Sequence, residues 1–156
     1  MTSQQVIVYI DGFNLYYGAV KGTPFRWLNV DALCRQLLRP TDKLNAIKYY
    51  TALVSARPND PQAPNRQQMY LRALETIPHL SIYYGHFLSH AVRMRTVSSL
   101  QPGQTAQYIE VMKTEEKGSD VNLATHLIHD AHLNRFTLAI VISNDSDLIE
   151  PIRIIR

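Results

Sequence analysis

Two short apolar runs constrain this chain more than any other feature. Val6-Ile7-Val8-Tyr9-Ile10 runs straight into Asp11-Gly12-Phe13-Asn14, and Ala139-Ile140-Val141-Ile142-Ser143 runs into Asn144-Asp145-Ser146-Asp147. Runs of this length, rich in β-branched residues and bounded by turn residues, predict buried strands. If the two strands are parallel, their acidic tips share one edge of the sheet. In open α/β folds that edge, outside the carboxyl ends of the strands, is where ligands bind. Carboxylates gathered there without basic partners repel one another by a few kcal/mol per pair at an effective dielectric of about 20. A divalent cation removes that cost.

Between the two runs the chain alternates strand and helix signals. Asn29 is placed to cap a helix through Asp31 to Leu38, and Pro40 stops it. Ile47 to Val54 reads as a second strand. Arg57 to Pro64 reads as a loop, because it carries three prolines in eight residues. Met69, Leu71, Leu74 and Ile77 mark a helical face that ends at Pro78, and Leu80 to Leu88 reads as a third strand. Ala91 to Gln107, with Pro102-Gly103, suggests a hairpin or excursion, followed by a short strand from Tyr108 to Met112. Gly118 opens a helix whose Val121, Ala124, Leu127, Ile128 and Ala131 form an apolar stripe, and Phe136 to Ser143 is the last strand. This alternation predicts right-handed crossovers, a mainly parallel sheet and helices on both faces.

The 156 residues suit one domain over 1–156, with 46% hydrophobic and 19% charged residues, enough for a real core. Cys34 is the one cysteine, so no internal disulfide and no thiolate zinc cluster can form, which leans toward a reducing cytoplasm. No apolar run approaches the roughly 20 residues needed to span a bilayer. Net charge is +3, but Lys21 to Arg95 holds eleven basic and four acidic residues, whereas Thr96 to Arg156 holds five basic and eight acidic. A basic middle beside an acidic site suits an enzyme that acts on a polyanion. Scatter over solvated faces explains the same charges without function.

Magnesium and manganese take oxygen ligands and are bound by one or two carboxylates plus substrate phosphates. Asp11, Asp145 and Asp147 fit that chemistry at strand ends. Asp120, in Lys117-Gly118-Ser119-Asp120-Val121, falls in the first turn of a helix, where an Asp also serves the helix dipole. Asp145 or Asp147 alone reads equally well as a cap. The metal reading therefore rests on all three segments reaching one edge together. Arg57, after the second strand at that edge, is placed to grip a backbone phosphate. Tyr16 and Tyr17 read either as platforms for stacked bases or as partly buried core. His126, His129 and His132 match no familiar zinc spacing.

The three segments Ile10-Asp11-Gly12-Phe13-Asn14, Lys117-Gly118-Ser119-Asp120-Val121-Asn122-Leu123-Ala124 and Ser143-Asn144-Asp145-Ser146-Asp147-Leu148 resemble, in order and spacing, the NYN domain family. These are PIN-like ribonuclease domains with a Rossmann-like three-layer sandwich, and the resemblance covers essentially the whole chain. It implies a site of Asp11, Asn14, Asp120, Asp145 and Asp147, with the four acids holding Mg2+ or Mn2+. Lys117 and Ser143, within these segments, join Arg57 and Tyr16 as expected substrate contacts. It further implies cleavage of RNA that leaves a 5′-phosphate and a 3′-hydroxyl, the ion acidifying the attacking water and stabilising the leaving oxygen. Asn144 stands where the family often has Gly, and His126 where an Asp is common. The family usually continues beyond the last helix of this sequence.

The expected function is therefore a metal-dependent ribonuclease for single-stranded or loosely structured RNA. The alternative is a catalytically weak RNA-binding or protein-scaffolding module of the same fold. A phosphatase of the haloacid dehalogenase type wants a second Asp two residues after the first, and Phe13 stands there. Self-association as a homodimer is expected through Ile149 to Ile155, with Ile152, Ile154 and Ile155 exposed, or through a neighbouring sheet edge.

Overall fold

A computed structural model of the chain describes residues 2–97 and 107–156. A four-stranded sheet in the order β3-β2-β1-β6 forms its centre. The strands are β1 (Gln5–Asp11), β2 (Lys43–Thr51), β3 (Leu80–Tyr84) and β6 (Leu138–Ile142), and every neighbouring pair is parallel. The alternation of β1 sets the two layers around it. Val6, Val8 and Ile10 face one core with Ile47 and Tyr49 of β2, whereas Ile7 and Tyr9 face a second core with Tyr50.

Helices α2 (Val30–Gln36) and α3 (Ala63–Glu75) cover the first face with Val30, Cys34, Leu71 and Leu74. Helix α4 (Ser119–His132) covers the second with Leu123 and Leu127, joined there by Leu148. The reason is topological. The chain moves outward from β1 to β2 to β3 and then returns through α4 to the other side of β1, so a right-handed crossover must change faces. The reversal of strand order lies between β1 and β6, where the open crevice of such a sheet forms. The observed fold is the mainly parallel α/β sandwich that the strand and helix alternation predicts.

Several local expectations differ from the structure. Leu80 to Leu88 is two strands, because the chain leaves the parallel sheet at Gly85 and enters β4 (His86–Arg95), which pairs antiparallel with β5 (Tyr108–Lys117). A Cβ at Gly85 would crowd Glu116 and lie 2.6 Å from the Lys117 carbonyl, so glycine is needed where the two sheets meet. The hairpin expected around Ala91 is this β4–β5 arm, and its Pro102-Gly103 portion lies outside the described residues. Pro64 sits in the first turn of α3, where its missing N–H costs nothing.

On α4 the stripe is rotated from the expected one. Leu123, Leu127 and Asp130 are buried, while Val121 is exposed. Asp130 escapes an apolar reading, yet it holds the interior together. Its carboxylate accepts from the Tyr9 hydroxyl at 2.6 Å, pairs with Lys48 at 2.5 Å and with Arg135 at 2.9 Å. Near the end of the chain, Ile152 and Ile155 of the region around α5 (Ile149–Ile154) pack against the second core, correcting the expectation that they are exposed. Ile149 and Ile154 remain exposed. Among the described residues no helix is long and apolar enough to cross a membrane.

Candidate functional site

Asp11 ends β1 and caps the short helix α1 (Gly12–Leu15), which continues as a π turn through Val20. Its backbone is extended, and its Oδ1 accepts from the Asn14 backbone N–H at 3.0 Å, the usual geometry of an Asp cap. Oδ2 accepts from Asn14 Nδ2 at 2.5 Å and from Ser143 Oγ at 3.1 Å. Ser143 Oγ in turn accepts the Asp145 N–H at 3.1 Å, and Asn14 Oδ1 accepts the Asn144 N–H at 3.3 Å. The turn after β6 is thus tied to the turn after β1 by side chains on both.

Asp145 caps a 3-10 turn, Ser146–Leu148, by accepting the Asp147 N–H at 2.9 Å. Asp120 lies in the first turn of α4, which starts at Gly118 with φ 97°, a left-handed conformation that favours glycine. No side chain at Gly118 can cap that helix, so Glu116 does it from β5. Its carboxylate accepts the Ser119 N–H at 3.2 Å and the Ser119 hydroxyl at 2.8 Å.

These turns bring Asp120, Asp145 and Asp147 together, one carboxylate oxygen of each lying within 4.8 Å of the others. At that separation each pair of charges repels by roughly 3 kcal/mol at an effective dielectric of about 20, before solvent screening at the exposed Asp147. None of the three forms an ion pair with a Lys or Arg among the described residues. Three hard oxygen donors with no such partner could hold a divalent cation. Asp11, which the sequence groups with these acids, is not one of the three. It lines a cleft of about 370 Å³ together with Asn14, Arg57, Glu116, Asp120 and Asp145.

The other expected residues divide. Arg57 lines the cleft as anticipated, from a turn closed by Arg57 and Asp60. Tyr16 does not line it but lines a second cavity of about 310 Å³. Ser143 holds Asp11 and the Asp145 turn rather than opening onto the cleft lining. Lys117 lines neither cavity, and its ammonium lies 3.3 Å from Glu115 on the arm. His126 faces away from the acids. Its Nδ1 lies 3.0 Å from the Tyr50 hydroxyl and its ring 4.4 Å from that of Tyr83, so its substitution for an acid falls on a packing face.

Glu116, Phe87 and Ser119 of the cleft escaped the sequence reading. Glu116 had one usable signal, an acid just before a Gly-Ser-Asp helix start that lacks its own cap. Trp27 and Tyr70, on the second cavity, had none, because they come from a loop and a helix that only the fold brings together.

The family profile of the NYN domain matches residues 5–156. A curated relative, 6-hydroxy-3-succinoylpyridine 3-monooxygenase HspA of Pseudomonas putida (strain DSM 28022 / S16), is 30% identical over 172 positions, covering 96% of this chain and 54% of the relative. The chain thus spans about half the length of the curated relative it matches. No solved structure matches it with significance.

Proposed function

The chain belongs to the NYN domain family, and from that premise we propose that it is a Mg2+- or Mn2+-dependent ribonuclease acting on single-stranded or loosely structured RNA. The observation that carries this reading is the trio Asp120, Asp145 and Asp147, with oxygens within 4.8 Å and no basic partner among the described residues. When bound there, a divalent ion supplies Lewis acidity to the phosphoryl oxygens and to the attacking water.

The chain's own residues have separable tasks in this reading. Asp120, Asp145 and Asp147 hold the ion. Asp11 adds a fixed negative charge at the cleft wall, and Asn14 and Ser143 hold it in place. Arg57, on the same cleft as the acids, binds a backbone phosphate and sets the strand over them. The fully buried Cys34, its thiol pushed up to about 12 by burial, is inert and suits a reducing cytoplasm.

The direct test is to incubate the protein with single-stranded RNA and analyse the product ends. The expected result is Mg2+-dependent cleavage to 5′-phosphate and 3′-hydroxyl ends, abolished by chelation. RNA that is bound and left intact at saturating Mn2+ would instead identify a non-catalytic RNA-binding module.

One observation favours a second reading. The relative HspA is named as a monooxygenase of a pyridine, and here an aromatic cavity of about 310 Å³ adjoins the acidic cleft. In that reading the cavity takes a small heteroaromatic acid. Binding of such acids in preference to nucleotides would favour it.

A further inference from the structure

The second cavity lies under the π turn of α1, between the loop after it, α3 and the Arg57 turn. Its volume of about 310 Å³ falls at the lower end of the range of small-ligand sites, about 300 to 1,000 Å³. Its walls are aromatic and unusually open to solvent. Tyr17 is 55% exposed and Trp27 is 56% exposed, with the Trp27 and Tyr70 rings 6.3 Å apart. Core aromatics are covered; these are half open, although the Lys21 ammonium lies 4.8 Å from the Tyr17 ring centroid and Phe13 stacks on that ring at 6.3 Å.

Polar groups are placed at both ends of that space. At the inner end stands Tyr49, 5% exposed, whose hydroxyl makes no hydrogen bond among the described residues. It lies against Gly12, where a Cβ would come within 2.7 Å of the phenol oxygen, so the glycine makes room for it. At the rim stand Lys21, Arg26 and Arg57, none in an ion pair among the described residues. The one acid on the lining, Asp60, is already engaged by Arg66 at 2.6 Å. An occupant with a flat ring, a hydrogen-bonding edge and a negative charge fits this distribution.

The cavity also shares its wall with the acidic cleft. Phe13, Tyr17, Val54 and Arg57 line both. We propose that the cavity is a nucleotide subsite: one base of the RNA enters it, stacks on Trp27 beside Tyr17 and its Lys21 ammonium, and meets the Tyr49 hydroxyl with its edge. Its phosphate lies on Arg57, which passes the strand to the acids. A free heteroaromatic acid would fill the cavity alone, whereas a nucleotide chain accounts for the continuity of the two spaces. Stacking tolerates every base, so the subsite sets a preference for unpaired strands rather than for sequence. The assignment rests on the ribonuclease reading only for the direction of the strand.

Trp27 is the one tryptophan of the chain and reports directly on the cavity. The test is quenching of its emission, excited at 295 nm, during titration of the whole chain with AMP in EDTA. Adenosine and pyridine-3-carboxylate are run in parallel. The expected result is saturable quenching by AMP, about tenfold weaker binding of adenosine, and weaker binding still of pyridine-3-carboxylate. Tyr17→Ala and the loop variant Arg57→Ala should each raise the AMP dissociation constant about tenfold. No saturable quenching by AMP, tighter binding of pyridine-3-carboxylate, or unchanged affinity in both variants would overturn the subsite. Because EDTA is present, the result is independent of cleavage. Cleavage without AMP binding removes the subsite and leaves the ribonuclease standing, and AMP binding without cleavage does the reverse.

Discussion

Ser143 and Asp11, separated by 132 residues in sequence, meet at 3.1 Å with the serine hydroxyl donating to Asp11 Oδ2. The same oxygen atom of Ser143 accepts the Asp145 N–H at 3.1 Å. One side chain therefore fixes the acid at the tip of β1 and the turn that carries Asp145 and Asp147. The cleft is assembled by this contact across the point where the strand order reverses.

Ser143→Ala should remove both bonds and leave the Asp145 N–H without its partner. The expected cost is about 1 kcal/mol in urea unfolding. Divalent-dependent cleavage should fall about tenfold as the acid turn loosens, and Ser143→Thr, which keeps the hydroxyl, should recover most of it. Wild-type activity in Ser143→Ala would show that the turn holds its shape unaided.

Arg57 is exposed, lines the cleft and has no ion-pair partner among the described residues. Arg57→Ala should weaken RNA binding and reduce the slope of log affinity against log salt by about one phosphate contact. Affinity for Mn2+, measured by calorimetry, should stay the same. An unchanged salt slope would return Arg57 to the ordinary surface.

Burial, and then the charge of Lys48, hold the His126 imidazole below its ordinary value of 6.5. The unfolded chain therefore binds more protons than the folded one as pH falls below about 6.5, and stability is lost through that window. Above it the contribution is complete. His126→Gln should flatten the pH dependence of the urea midpoint between pH 7 and 5 without abolishing cleavage. A profile identical to wild type would mean that the imidazole does not titrate differently on folding.

Burial pushes the Asp130 carboxyl up, but hydrogen bonds from Lys48, Tyr9 and Arg135 outweigh it and hold the group below the usual carboxylate range. A lowered folded value means that its contribution is complete above about pH 3.9 and is lost as pH falls through the folded value. Asp130→Asn leaves the largely buried Lys48 ammonium without its counter-charge, which should cost about 3 to 5 kcal/mol. A loss below about 1 kcal/mol in denaturant unfolding would show that Lys48 reaches solvent when released.

The sheet was legible because Val6 to Ile10 of β1 and all of β6 are apolar and are followed within a few residues by acids, a pattern that needs no tertiary knowledge. Two of the acidic segments were legible for the same reason; Asp120 and the Asn29 cap, which accepts the Ala32 N–H at 3.0 Å, were legible as helix starts. What sequence missed depended on contacts between distant elements. Asp130 looks like a polar interruption of α4 until Tyr9, Lys48 and Arg135 are brought to it. Val121 has an apolar side chain, but the helix start at Gly118 turns it outward. Ile152 and Ile155 read as an open surface because the second core they pack against is built from elements earlier in the chain, α4 among them. The aromatic cavity was invisible beyond Tyr16 and Tyr17, since Trp27 and Tyr70 join it only through packing.

The most direct test of the ribonuclease account is cleavage of an end-labelled single-stranded RNA by wild type and Asp145→Asn, purified in parallel, with Mn2+ and with EDTA. An Asn at this position keeps the cap on the 3-10 turn while removing one charge from the acidic trio. The account predicts cleavage by wild type with Mn2+, none in EDTA, and at least a hundredfold loss in Asp145→Asn with its fold intact. Cleavage by Asp145→Asn at the wild-type rate, or by wild type in EDTA, would contradict it.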